Sequence, residues 1–390
     1  MKNTNTLLRN IKLSNKLKLI KYRELFSASI LLSTKKNKLN KLKKSFINNK
    51  RPISFTNNSL SLLNLTISNN NINESMNSDK LTPWQITGLV DGEGSFTCSA
   101  PLNGLGVRSA SVKLEFKVTQ KEDSEKILHK LTDYFGCGSV VIDNKKTATK
   151  KFRVSSIKDI LEIIIPHFDL YPCLTSKFLN FNDWKLIAMK ISKKEHLTSK
   201  GLIEIKSIIG NMNKERSFED KYNFCKNSLG LTINGEITKN LPAEWVQTFL
   251  AGEATFYNYL PKQTIDNRGK PYQRCDSSLE IAQNSHDVII LLAIKKFFGG
   301  GYIKPKYNIC DIIECKNSRS VNRYIFRDTK AIINFVDNYP MLNRKHLDYL
   351  DWKKIVELKN NGSHNTIEGL ELMKKIISNM NSTRNPDTKE

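Results

Sequence analysis

Apolar residues follow two rhythms along this chain. From Val112 to Val118 every second residue is apolar, which predicts a strand with one buried and one polar face. Its polar face carries Lys113, Glu115 and Lys117. Asp123 to Phe135 has the helical period, Gly138 to Ile142 and Lys150 to Val154 read as strands, and Ile157 to Phe168, Lys177 to Met189 and Leu202 to Met212 read as helices. A short apolar helix ending at Glu93 precedes them, so the order is α-β-β-α-β-β-α with an extra helix, an α+β class. The Leu/Ile stripes in Ile157–Ile165 and Val288–Ile294 are expected in the core.

The pattern occurs twice. Trp84 to Phe96 answers to Trp245 to Phe256, and Phe135-Gly136-Cys137-Gly138 to Phe298-Gly299-Gly300-Gly301. Tyr171-Pro172 answers to Tyr339-Pro340, Asp183-Trp184-Lys185 to Asp351-Trp352-Lys353, and Asn211-Met212-Asn213 to Asn379-Met380-Asn381. Matches in one order at a near-constant offset define two long copies, not a short-period solenoid. The expected organisation is an extension over 1–80, a first copy over 81–212, a polar linker over 213–241 and a second copy over 242–385. Within copy two, Pro261 to Gln273 contains Gly269 and Pro271 and is expected to be a hairpin connection. Trp184 and Trp352 are expected as core anchors.

Gly88 and Gly92 lie four apart on the first opening helix, where small residues let two helix backbones approach closely. Their partners in copy two are Thr248 and Gly252, which predicts two helices packed along a pseudo-twofold axis. Glu93 and Glu253 then sit side by side at the helix C-termini, where like charges repel and the helix end is itself partly negative. A divalent cation relieves that arrangement, and Mg²⁺ also accepts phosphate oxygens. Two carboxylates holding metal beside a basic surface suggest phosphodiester hydrolysis.

Charge points to the same partner. The chain has 390 residues, 62 Lys+Arg against 38 Asp+Glu and a formal net charge of +24. Nucleic acid is the leading polyanion and an acidic membrane surface the second. No apolar run approaches the ~20 residues needed to span a bilayer. Residues 1–80 hold 16 Lys+Arg, three acidic residues and 16 Asn. That composition buries little apolar surface and predicts a segment disordered or only locally helical on its own, read first as a fused or vestigial upstream segment, then as a basic arm, then as a cleaved presequence. Seven Cys without paired CxxC spacing argue against a disulfide scaffold or zinc ribbon, and the six His show no metal-binding spacing. Asp91, Glu93 and Ser95 imitate the start of a calcium loop, but Phe96 and Leu102 occupy the positions that need Gly and Glu.

Ile86-Thr87-Gly88-Leu89-Val90-Asp91-Gly92-Glu93-Gly94 resembles the nonapeptide of LAGLIDADG homing endonucleases, and Val246 to Ala254 is a weaker version. The Phe116-Lys117-Val118-Thr119-Gln120 strand end, the Phe-Gly-x-Gly turn, the Tyr-Pro…Lys…Asp-Trp run and Lys194 to Leu202 are similar to the double-motif fungal mitochondrial branch. The resemblance covers roughly residues 81 to 385. It implies two tandem αββαββα domains whose antiparallel sheets form a saddle in the DNA major groove. It implies a monomer, a mitochondrial setting, and cleavage across the minor groove to leave short 3′ overhangs. Glu93 and Glu253 would bind Mg²⁺, Lys177 and Lys345 would stabilise the phosphate's developing charge, and Gln120 and Gln283 would position water. Bases would be read by Lys113, Glu115 and Lys117 in copy one and by Asp276, Ser278 and Glu280 in copy two, joined by Arg153, Arg323 and Arg327.

Three departures from the family pattern matter. Thr248 replaces a small Gly, so close packing there is expected to suffer. Ala251 replaces the acidic residue at the sixth motif position, which is not the metal ligand. Ala254 replaces the closing Gly and would be strained if that position needs positive φ. The resemblance as a whole implies double-stranded DNA as the partner and site-specific endonuclease activity. Alternatives are a maturase acting on intron RNA, a noncutting DNA binder and a mitochondrial ribosomal component.

Overall fold

The structure, a computed structural model, describes residues 80–100, 112–265, 267–269, 271–305 and 320–381. The basic extension lies outside the described residues up to position 79.

The first half opens with α1 (Pro83–Glu93) and continues through β1 (Gly94–Ser99), β2 (Lys113–Lys121), α2 (Glu125–Phe135), β3 (Ser139–Asn144) and β4 (Thr149–Val154). Helix α3 follows in three pieces, Ile157–Asp159, a π-turn over Ile160–Ile164 and Ile165–Leu170. Pro166 explains the π-turn: it has no N–H to give, so the ladder widens one turn before it. Helices α4 (Lys177–Ser192) and α5 (Ser199–Ile209) complete the half. In the second half come α7 (Ala243–Glu253), β5 (Ala254–Tyr259), β6 (Thr264–Ile265), β7 (Pro271–Tyr272), β8 (Asp276–Asn284), α8 (Val288–Phe298), β9 (Tyr302–Pro305), β10 (Val321–Phe326), α9 (Thr329–Asn338), α10 (Lys345–Asn360) and α11 (Ile367–Ser378). The stretch Pro261–Gln273 connects the antiparallel strands β5 and β8, as expected of a hairpin, and carries a short β6–β7 pair of its own that the sequence did not suggest.

Each half builds one four-stranded antiparallel sheet, in orders β1-β2-β4-β3 and β5-β8-β10-β9. Alternation decides the faces. Leu114, Phe116 and Val118 point into the first core, as Leu279 and Ile281 point into the second. Trp184 stands over Phe96 at 5.4 Å and Trp352 over Phe256 at 5.7 Å, so both tryptophans are core anchors. Trp184 also donates its indole N–H to Thr97 O at 3.1 Å, tying α4 to β1.

Two details differ from the sequence reading. Helix α2 starts at Glu125, because Glu122–Ser124 form a separate 3₁₀ turn. The stretch 213–241 contains helix α6 (Phe218–Leu229), capped by Ser217 and closed by left-handed Gly230. Its sparse apolar residues hid it, yet Cys225 and Leu229 are fully packed into the second core.

Candidate active site at the crossing of two glycine-faced helices

Helix α1 is started by a capping box: Thr82 Oγ1 accepts from Gln85 N, and Gln85 Oε1 accepts from Thr82 N. Pro83 fits the first turn, where its missing N–H would have had no partner. The same Gln85 donates to Gln247 Oε1 of α7 at 2.9 Å, so the cap also joins the two halves.

Steric fit along the crossing depends on missing side chains. A Cβ at Gly88 would lie 2.3 Å from both Thr248 Oγ1 and Trp245 O. Thr248, expected to disturb the packing, is accommodated because Gly88 leaves that space and its hydroxyl turns back to Glu244 O at 3.2 Å. Further along, Gly92 and Gly252 face each other: a Cβ on Gly252 would stand 3.6 Å from Gly92 Cα. The concern about Ala254 is also corrected. Both Gly94 (φ −84°) and Ala254 (φ −86°) are extended, so no left-handed residue is needed. A Cβ at Gly94 would lie 2.6 Å from Val90 Cγ1 and 2.8 Å from Val90 Cα and O, so the first half needs glycine there for space, not for its φ.

The two tryptophans ahead of the motifs are not equivalent. Counting back from the closing glutamates, Trp84 is one step further out than Trp245. Trp84 packs edge-on against Tyr171 at 5.5 Å. Trp245 is fully buried and donates its indole N–H to Asp91 Oδ2 at 2.8 Å.

Glu93 and Glu253 end their helices beside this crossing. A Cβ on Gly252 would lie 3.4 Å from Glu93 Oε1, and one on Gly92 would lie 4.0 Å from Glu253 Oε1. Each carboxylate therefore leans on the glycine of the opposite helix. Burial pushes the Glu93 carboxyl up, opposed by Lys177 and Lys345. Burial and repulsion from Glu93 push Glu253 up to about 7, opposed by Lys177 and a hydrogen bond from Gln283.

The predicted lysines and glutamines gather around these acids. Lys177 Nζ donates to Val90 O at 2.7 Å, which also accepts the N–H of the capping Gly94, and to Gly92 O at 3.4 Å, so its charge sits at the partly negative end of α1. Lys345, Gln120 and Glu93 line one cleft of about 580 Å³ together with Gly252 and Asp348. Lys177, Gln283 and Asn180 line a second cleft of about 300 Å³. The amide nitrogen of Gln120 is buried and has no protein partner. Two centres result: Glu93 with Gln120 and Lys345, and Glu253 with Gln283 and Lys177. Lys177 adjoins both glutamates, and Lys345 adjoins Glu93.

The open sheet faces carry the other predicted residues. Lys113 and Arg153 are exposed, and Lys117 pairs in register with Arg153. Glu115 is tied to Lys151 at 3.4 Å. In the second half Asp276 is held by Arg274 and Glu280 by Arg323 at 3.2 Å. Ser278 lies on this face by register but is only 4% exposed, with its hydroxyl given to Glu280. Arg327 covers the Tyr302 ring. Sequence reasoning missed Tyr257, Tyr259 and Tyr302, all exposed on the same face; the alternation around Phe256 was the available signal.

Also missed were the residues that lock the halves together. Asp91, at the sixth motif position, accepts from Leu174 N, Thr175 N, Thr175 Oγ1 and Trp245 Nε1. Its counterpart Ala251 has no side-chain acceptor; there Asn343 donates to Ala251 O at 3.0 Å instead. Ser176 donates its N–H (2.9 Å) and hydroxyl (3.0 Å) to Asp287 of the other half. In return Arg344 donates its N–H to Ser124 Oγ and its guanidinium to Asp123. That exchange is reciprocal, as a twofold relation requires. Burial pushes Asp287 up, but His286, Cys225 and Ser176 outweigh it and hold the carboxyl below its ordinary range.

The donor set fits a hard divalent cation. The two glutamates are partly desolvated, mutually repelling and placed at carbonyl-rich helix ends. Among the described residues there is no cluster of three or more His, Cys, Asp or Glu, so any cation here must take further oxygens from backbone, water or a phosphate. No described helix is long and apolar enough to cross a membrane.

The LAGLIDADG endonuclease family matches residues 86–188 and 249–356, more than half of the chain. "Probable intron-encoded endonuclease 2" of Neurospora crassa is 29% identical over 322 residues, covering 80% of this chain and 67% of that protein. Among solved structures, I-SmaMI bound to an uncleaved DNA target with calcium ions is 27% identical with a TM-score of 0.62, covering 77% of this chain and 99% of that one. I-LtrWI bound to target DNA is 26% identical with a TM-score of 0.63, covering 78% and 98%.

Proposed function

Since this chain belongs to the LAGLIDADG endonuclease family, we propose that it is a site-specific double-strand DNA endonuclease that works as a monomer with Mg²⁺ in a fungal mitochondrion. The observation that carries the reading is the meeting of Glu93 and Glu253 across the Gly92–Gly252 contact, each with a glutamine from its own half, with Lys177 beside both and Lys345 beside Glu93.

Glu93 and Glu253 would hold the cations, which supply Lewis acidity toward the scissile phosphate and an acidified water when bound. Lys345 and Lys177 place positive charge where the phosphate gains negative charge. Gln120 keeps a donor without a protein partner, free to orient a water. Gln283 holds Glu253 in place. Lys113, Lys117, Arg153, Arg323 and the aromatic–arginine pairs face the groove and fix register and sequence choice. The mitochondrial setting is supported by relatives such as the "Uncharacterized mitochondrial protein RF1" of Saccharomyces cerevisiae.

The test is digestion of intronless mitochondrial gene copies with purified protein and Mg²⁺, with the ends mapped. One long site cut on both strands is expected, and Glu93→Gln or Glu253→Gln should abolish cutting. Cutting that survives both changes removes this reading.

A further inference from the structure

Asn180 and Asp348 occupy matching positions, each three residues after the lysine that opens α4 or α10. They perform the same structural task. Asn180 Oδ1 accepts from Asn213 N at 2.9 Å, and Asp348 Oδ1 accepts from Asn381 N at 2.9 Å. An amide oxygen is enough for this tie, so the negative charge of Asp348 is surplus to it.

That charge has a neighbour. Asp348 Oδ2 lies 3.6 Å from Lys345 Nζ, and the carboxylate is only 5% exposed, so water screens it poorly. Lys177 has the neutral Asn180 at the corresponding place and bonds the carbonyls of Val90 and Gly92. In the cleft of Glu93, Gln120 and Lys345, the other charged groups are Lys121 and the paired Asp123 and Arg344, which hold each other. The two centres thus share a glutamate, a glutamine and a lysine. Buried carboxylates adjoin both lysines, Asp91 and Asp287 in the cleft of Lys177 and Asp348 in that of Lys345, but among the described residues only Asp348 comes within ion-pairing distance of its lysine.

We propose that Asp348 is a positioning residue that restrains Lys345 and makes the two cleavage centres unequal, so that the strand served by Glu93 is cut more slowly than the strand served by Glu253. This rests on the nuclease reading above. A lysine drawn toward a carboxylate contributes less positive charge to a phosphate, and transition-state stabilisation falls with it.

The experiment uses a supercoiled plasmid carrying the site recovered by digestion, and the same site as a duplex labelled on each strand in turn. Wild-type protein should accumulate nicked circles before linear product. Asp348→Asn, which copies the residue already present at position 180, should raise the slower strand's rate by about threefold to tenfold and leave the faster strand unchanged. Asn180→Asp should slow the other strand by a similar factor, and the double exchange should reverse the order of cutting. Affinity for the duplex with Ca²⁺ in place of Mg²⁺ should stay constant in all variants, which a merely structural role would not predict. A strand ratio unchanged in Asp348→Asn, or both strands changed alike, overturns the inference while leaving the nuclease reading intact. Wild-type protein that never cuts removes both.

Discussion

Gly88 and Thr248 are complementary: the hydroxyl of Thr248 stands 2.3 Å from where a Cβ on Gly88 would be, and Trp245 O stands equally close. One helix can carry a threonine at its crossing because the other carries nothing. Gly88→Ala should therefore destabilise the protein by about 1–3 kcal/mol through overpacking. Adding Thr248→Gly should restore only part of that loss, since the Trp245 carbonyl remains in the way. Urea midpoints of the single and double variants check this; full rescue would show that the backbone contact is slack.

The elevated Glu253 group makes metal binding depend on pH. Its folded value of about 7 lies above the ordinary 4.5, so in metal-free protein the stability it contributes is complete below the ordinary value and is lost as pH rises toward 7. A cation needs the ionised form and must displace a proton below that pH. The gain in thermal midpoint on adding Mg²⁺ should grow from about pH 5 to about pH 7 and level off above that. Glu253→Gln should flatten the profile.

Asp287 collects donors from three segments: Ser176 of the first half, Cys225 of α6 and neighbouring His286. Asp287→Ala strands those donors in a buried place, at about 1–3 kcal/mol for each one left unsatisfied. Asp287 also lines the cleft of Lys177 and Gln283 and helps to raise Glu253, so the expected phenotype is a lowered melting temperature with cutting reduced but not abolished well below it. Limited proteolysis should report earlier cutting in 213–241, which Cys225 anchors.

DNA affinity should depend steeply on salt. If six to ten phosphates are contacted, affinity falls by roughly 10³–10⁵ between ~50 and ~200 mM salt. Arg153→Ala distinguishes two roles for that residue. Loss of a phosphate contact should lower the log–log salt slope by about 1 for every sequence, whereas loss of a base contact should relax one position and cost about 1–3 kcal/mol. Binding titrations on the cognate site and a randomised duplex separate them.

Much of this was readable in the sequence because duplication supplied its own control. Alternation through Val112–Val118 placed Lys113, Glu115 and Lys117 on the open face, and the repeated Asp-Trp placed two core anchors. The closing glutamates were legible because their surroundings recur. Helix α6 was not, since only Cys225 and Leu229 are fully buried along it and its period is faint. Nor were the pairings Ser176–Asp287 and Arg344–Asp123: they differ between the halves, so the repeat gave no hint of them. Thr248 was misjudged because its effect depends on Gly88, 160 positions away.

The asymmetric seam between the halves limits how they can be recombined. A second half borrowed from a relative would need more than a good sheet and a glutamate. It must bring a residue that fills the notch over Gly88, an indole that reaches Asp91, and an acid that receives Ser176. Chimeras that exchange these three positions along with the half should assemble, and those that exchange only the groove-facing strands should keep the original seam and inherit new sequence preference at one end of the site.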